Sequence, residues 1–109
     1  MTVFQEAEML RQVPFFAKVD MAKLKLVAFT SRAVRFAPGE ALMVKDEPSD
    51  SAYVILEGEV EVMGETSSGE FVVTVMGHNS LVGEMSLLLD APRVATVRAK
   101  GPVRALRIT

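Results

Sequence analysis

From Ser31 to the C-terminus, glycine, proline and short polar clusters cut the chain into β-branched runs, and this punctuation limits the fold more than any other feature. "SRAVRFA" stops at Pro38-Gly39, "ALMVK" at "DEPSD", "AYVILE" at Gly58 and "EVEVM" at Gly64. "FVVTVM" follows the turn "TSSG" and ends at Gly77, "VATVRA" stops at Gly101-Pro102, and "VRALRI" closes the chain. Strands this short, spaced by about ten residues, predict a barrel or sandwich rather than a parallel sheet with crossover helices. "EVEV" alternates strictly, which puts Val60 and Val62 on one face and Glu59 and Glu61 on the other.

Ahead of the strands the period changes. Val3, Ala7 and Leu10 recur at helical spacing with Phe4 alongside, so residues 3–12 read as an amphipathic helix ended by Pro14. Asp20 is suited to cap a second helix, "MAKLKLVAFT", in which Met21, Leu24 and Ala28 share a face. Both helices are expected to pack outside the β structure. The 109 residues hold no low-complexity linker and no internal repeat, which predicts one domain: helices over 1–29 and a β unit over 30–109.

The side-chain inventory excludes several kinds of chemistry. There is no cysteine, hence no disulfide and no thiolate metal site, as suits a reducing cytosol. His78 is the single histidine and lies in the turn "GHNS", read as facing solvent, so a transition-metal centre is not expected. Ser67, Ser68 and Ser80 sit in turns with no base nearby in sequence, and neither GxGxxG nor the phosphate loop of nucleotide triphosphatases occurs. No catalytic residue is assigned and the chain is not read as an enzyme. No apolar run reaches the roughly 18 residues that a membrane span needs, and "MTVFQEAEMLRQV" is not a secretory signal. A cytoplasmic location is expected. The net charge of −2 hides an asymmetry: nine acids and only Lys45 as a base over 40–70, against five bases and no acid over 91–109. Arg98, Arg104 and Arg107 are read as solvated outward-facing strand residues, and no nucleic-acid binding is expected.

One stretch remains, "GEMSLLLDAPRVATVRA" over 83–99. Gly83 can adopt a positive φ and admits a ligand to close range. "EMSLLL" is a short run of helix formers whose first turn presents free N–H groups. Pro92 stiffens the return, Arg93 offers a forked donor for two phosphate oxygens, and Glu84 is an acceptor for hydroxyls. Together these residues suggest a phosphorylated sugar.

The run "VGEMSLLLDAPRVATV" closely resembles the phosphate-binding cassette of cyclic nucleotide-binding domains, such as those of protein kinase A regulatory subunits and the bacterial catabolite activator. Upstream, "APGEALMVKDEPSDSAYVILEGEVEVM" is similar to the family's Pro-Gly-Glu turn and its hairpin, and the likeness spans roughly residues 10–109. The resemblance implies an eight-stranded jelly-roll barrel, counting one strand too short to see, with N-terminal helices and a short helix in a cassette over 83–96. It implies a sensor of cAMP, with cGMP the lesser ligand, and no cofactor or metal. Arg93 would hold the cyclic phosphate and Glu84 the ribose 2′-hydroxyl, with Gly83 permitting close approach. Backbone N–H groups of Ser86 and Val94 would complete the cradle, lined by Met85 and Ala95. Val62 and Val73 would form an apolar wall around the base, while Leu87, Leu88 and Leu89 are expected in the core.

Three departures bear on this expectation. Asp46 and Asn79 stand where the family has glycine, and both residue types tolerate left-handed geometry. Val94 is bulkier than the alanine, serine or threonine expected after the arginine. The chain stops where the family continues into further helices, one of which closes over the base, so the lid helices are expected to be absent from it. Output would pass to a homodimer partner or a downstream effector segment. The alternative is a ligand-free domain of the same fold, with Glu84 and Arg93 paired, acting as a structural or protein-interaction module.

Overall fold

Thr2 starts the first helix by pairing with Gln5: the Thr2 Oγ1 accepts from the Gln5 N–H at 3.1 Å, and the Gln5 Oε1 accepts from the Thr2 N–H at 2.9 Å. This reciprocal cap satisfies two N–H groups that the helix itself cannot. The structure, a computed structural model, describes residues 2–48, 51–84 and 92–109. Helix α1 (Val3–Arg11) buries Ala7 and Leu10, and α2 (Met21–Thr30) buries Leu24 and Ala28. Asp20 caps α2 as its sequence suggests, its Oδ1 accepting from the Ala22 N–H at 3.3 Å. Between the helices, Pro14 does more than end α1. It opens a 3-10 turn (Pro14–Phe16), using a first position where its missing N–H costs nothing. Among the described residues no helix is long and apolar enough to cross a membrane.

Eight strands follow among the described residues: β1 (Arg32–Phe36), β2 (Ala41–Met43), β3 (Ala52–Glu57), β4 (Val60–Thr66), β5 (Gly69–Met76), β6 (Leu81–Val82), β7 (Thr96–Ala99) and β8 (Val103–Ile108). They form two antiparallel four-stranded sheets, β1-β8-β3-β6 and β2-β7-β4-β5. Consecutive strands thus often change sheet, as in a double-sheet jelly roll. The expected jelly-roll barrel appears as these two sheets, without closure among the described residues. No ladder joins the edges of the two sheets among the described residues, which leaves β1, β6, β2 and β5 as edges. With three residues in β2 and two in β6, these edges are too short to zip the sheets together. β6 is the strand that alternation cannot reveal, because two residues carry no period. β2 and β7 are also shorter than "ALMVK" and "VATVRA" suggest. The expected cassette helix, from Met85 on, and the packing of Leu87, Leu88 and Leu89 lie outside the described residues.

Two apolar clusters share the first sheet. Between the sheets, Tyr53, Ile55, Val103 and Ala105 meet Leu42, Met43, Val60, Val97 and Ala99. On the sheet's other face, Val54, Leu56, Leu106 and Ile108 pack under Ala7, Leu10, Val13, Leu24 and Ala28. β3 is therefore buried continuously from Ala52 to Leu56, which explains why its sequence shows no alternation. Val60 is fully buried and Val62 partly so on the shared face, as the alternation in "EVEV" predicts.

Arg98 and Arg104 face away from the inter-sheet core and pair with Glu70 and Glu57, at 2.7 and 2.8 Å. Arg107 differs from its expected outward setting. It stands opposite Tyr53 in the ladder, so it lies on the face that Tyr53 shares with the inter-sheet core.

Candidate functional site

Gly83 follows β6 with φ +85°, the left-handed region that its sequence context anticipates. A Cβ here would land on the Arg93 Nη1, 2.5 Å away, and on the Met43 methyl. The backbone conformation favours glycine here, and any side chain would also have to displace the ends of Arg93 and Met43.

Arg93 is only 5% exposed. Its Nη1 donates to the Gly83 carbonyl at 3.4 Å and its Nη2 to the Ser51 Oγ at 3.2 Å. The main chain of Arg93 is held as well. Its N–H donates to the Glu47 carbonyl at 2.9 Å, and its carbonyl accepts from the Asp46 N–H at 2.8 Å. Three residues further on, the buried Thr96 Oγ1 accepts from the Lys45 N–H at 3.0 Å. The loop after β2 can turn back to make these bonds because Asp46 has φ 72°. Asn79, the other residue in a glycine position, has φ 68°. Both substitutions keep the left-handed geometry, through side chains that tolerate it.

Gly83 and Glu84 meet Val94 and Ala95 at one cavity of about 150 Å³, lined also by Met43, Val62, Met76, Leu81, Val82 and Val97. Arg93 is not in this lining; it lies behind Gly83. Glu84 and Ala95 are half-buried, whereas Val94 is 68% exposed. Because β7 begins only at Thr96, Val94 and Ala95 precede the strand and border the cavity from its approach.

Of the two residues expected to wall the base, Val62 lines the cavity and Val73 does not. The β4–β5 ladder pairs Val62 with Thr74 and Met63 with Val72, so Val73 is the extra residue of an irregularity. It lies 58% exposed, close to Gly64. Met85 and Ser86 lie outside the described residues.

Sequence reading missed Ser51, Met43, Met76 and the chain at 45–47. Ser51 is 42 positions from the guanidinium it accepts from, and nothing local marks it. His78 is also more than a solvent-facing turn residue, since its Nδ1 lies 2.9 Å from the Leu56 carbonyl.

The fold recurs in solved proteins. The regulatory domain of Toxoplasma gondii PKA, crystallised with cAMP, is 25% identical with a TM-score of 0.90; the alignment covers 97% of this chain and 41% of that one. A regulatory subunit of a cAMP-independent protein kinase A from Trypanosoma cruzi, bound to guanosine, is 28% identical with a TM-score of 0.85, over 98% and 40% of the two chains. The N-terminal domain of a transcriptional regulator from Streptomyces coelicolor is 32% identical with a TM-score of 0.81, over 92% and 71%. The present chain thus spans about two-fifths of the kinase regulatory chains it matches. Residues 33–109, which include every strand beyond the first residue of β1 together with Gly83, Glu84 and Arg93, match the model of the cyclic nucleotide-binding domain. A match over this much of the chain shows that it belongs to the cyclic nucleotide-binding domain family.

Proposed function

We propose that this domain is a cAMP sensor that takes the nucleotide at Gly83, Glu84 and Arg93 in preference to cGMP. The observation that carries the reading is the burial of Arg93 directly behind Gly83, at the edge of an apolar cavity that Glu84 also lines. Burying a guanidinium is costly unless it is fixed by hydrogen bonds, and here both ends of the fork are fixed. A fixed fork meets a phosphate without first losing side-chain freedom. Glu84, half-buried beside the same cavity, suits a sugar hydroxyl, and the Val94 backbone N–H suits a phosphate oxygen. The purine would lie against Val62, Met76 and Val97. Binding of this kind needs no covalent chemistry and no metal from the chain.

A ligand-free module of the same fold is the second reading. The cavity's 150 Å³ is about half of the roughly 300 Å³ at which small-molecule pockets begin, and Ser51 and Gly83 already engage Arg93. Under this reading the arginine is a structural brace between β6 and the segment before β7.

Calorimetric titration with cAMP and cGMP separates the two. The sensor reading expects saturable binding of cAMP and a loss of about thirtyfold or more in Arg93→Ala, as for removal of a buried charge partner worth about 2–5 kcal/mol. At a hundredfold excess over Kd, ligand adds about 2.7 kcal/mol of stability and raises Tm by on the order of 10 °C. No heat and no thermal shift at millimolar cAMP would establish the ligand-free module.

A further inference from the structure

β3 and β8 run antiparallel, so the end of the first sheet that carries Glu57 and Val103 is the end away from Ser51 and Arg93. At this far end three charges form one row across three strands. Arg35 of β1 stands opposite Arg104 of β8, and Arg104 stands opposite Glu57 of β3. Like charges directly opposite each other destabilise a sheet, and only one of these two is compensated. The Arg104 Nη2 donates to the Glu57 Oε1 at 2.8 Å, while its Nε is buried with no acceptor among the described residues. Arg35 is exposed and forms no ion pair among the described residues. The three side chains line a groove of about 320 Å³ with Phe36, Pro102 and Val103.

We propose that this groove is a second anion site, which takes a phosphate group between the guanidinium forks of Arg35 and Arg104. The row carries a net charge of +1, from two arginines and one glutamate, so it favours an anion even with Glu57 in place. A carboxylate would duplicate what Glu57 already gives Arg104. A tetrahedral phosphate has oxygens enough to address both forks at once, with a second charge to offset their repulsion. Phe36, Pro102 and Val103 provide an apolar margin for whatever carries the phosphate. The site owes nothing to the nucleotide pocket, which lies at the other end of the sheet. Its phosphate can belong to a small molecule or to a phosphorylated side chain of a protein.

Amide NMR of the whole chain during titration with inorganic phosphate, against sodium chloride of matched ionic strength, tests the site. Phosphate is expected to move the amides of Phe36 and Val103 in a saturable way that chloride does not reproduce. Arg35→Gln, a change at an exposed position, is expected to weaken that response roughly tenfold, as for one charge-assisted contact. Arg35→Lys should recover part of it. Any response around Gly83 reports Arg93 and is expected to persist in Arg35→Gln, which separates the two sites. A phosphoserine peptide that binds more tightly than inorganic phosphate assigns the group to a protein, and equal or weaker binding assigns it to a small molecule. Unmoved Phe36 and Val103 amides, movement equalled by chloride, or an undiminished response in Arg35→Gln overturns the proposal.

Discussion

β3 and β5 are made of similar residues and meet opposite environments. "AYVILE" is buried from Ala52 to Leu56, whereas "GEFVVTVM" is exposed from Gly69 to Val75. Composition does not distinguish them; position does. β3 is an inner strand of the first sheet, with the helices on one face and the second sheet on the other. β5 is an edge of the second sheet, paired only with β4, and an irregularity at Val73 breaks its register. The first sheet is a packed platform and the second is a wall covered on one side. The cavity draws Met43, Val62, Met76 and Val97 from the second sheet and only Leu81 and Val82 from the first. The lining of this cavity is thus drawn mainly from the sheet with less packing to lose.

This division can be broken by comparing substitutions across it. Leu106 on β8 is fully buried under α1 and α2. Leu106→Ala is expected to cost about 2–5 kcal/mol through lost transfer energy and a residual cavity. Denaturant unfolding measures this, and a cost under about 1 kcal/mol would show that the helix layer is not the platform described.

A smaller effect sharpens the role of the segment before β7 in selectivity. Val94 borders the cavity with a side chain that has no hydroxyl, so a guanine amine reaching this position finds no side-chain partner. Val94 is 68% exposed, so the missing contact counts as one ordinary hydrogen bond of about 0.5–1.5 kcal/mol, and cAMP should bind about two- to tenfold more tightly than cGMP. Val94→Thr should narrow that ratio by improving cGMP. Competition binding decides, and an unchanged ratio removes Val94 from the determinants of selectivity.

The smallest effect is expected on the outer face of β5. Val75 stands opposite Glu61 in the ladder and is 39% exposed. Val75→Thr keeps the β-branch and should alter stability by no more than about 0.5 kcal/mol. A loss comparable to that of Leu106→Ala would mean that something covers β5 in solution.

Much of this was legible in the sequence, and the reasons for the rest are physical. Gly58 and Gly77 mark strand ends because turns select residues locally, and Asp20 marks a helix start for the same reason, whereas Gly64, expected to end its strand, lies inside β4 opposite Phe71. Asp46 and Asn79 stand where the family resemblance expects glycine, with side chains that tolerate left-handed geometry, and both have positive φ. What local signals cannot carry is the partition of strands into sheets. Nothing in "AYVILE" or "FVVTVM" says that one lies between two covered faces and the other at an edge. The contact between Arg93 and Ser51, and the bonds from residues 45–47 that hold Arg93, depend on that partition. Val73, placed on the base wall by the family resemblance, does not line the cavity because it is the extra residue of an irregular register.

The two residues of β6 have a consequence for how the molecule breathes. Leu81 and Val82 join the first sheet through Val54 and Tyr53, with the Ser80 carbonyl and the Asn79 N–H adding bonds to Ile55. Gly83 and Glu84 hang from the end of this shortest of the strands described. Peeling it away breaks few bonds, whereas freeing Ile55 or Leu106 dismantles a core. Amide exchange should therefore be graded, with residues 81–84 exchanging by local opening and the centres of β3 and β8 only by global unfolding. A molecule that grips Gly83 from one side and Arg93 from the other would close that gradient, and its arrival would be recorded as slowed exchange at the weakest rung of the sheet.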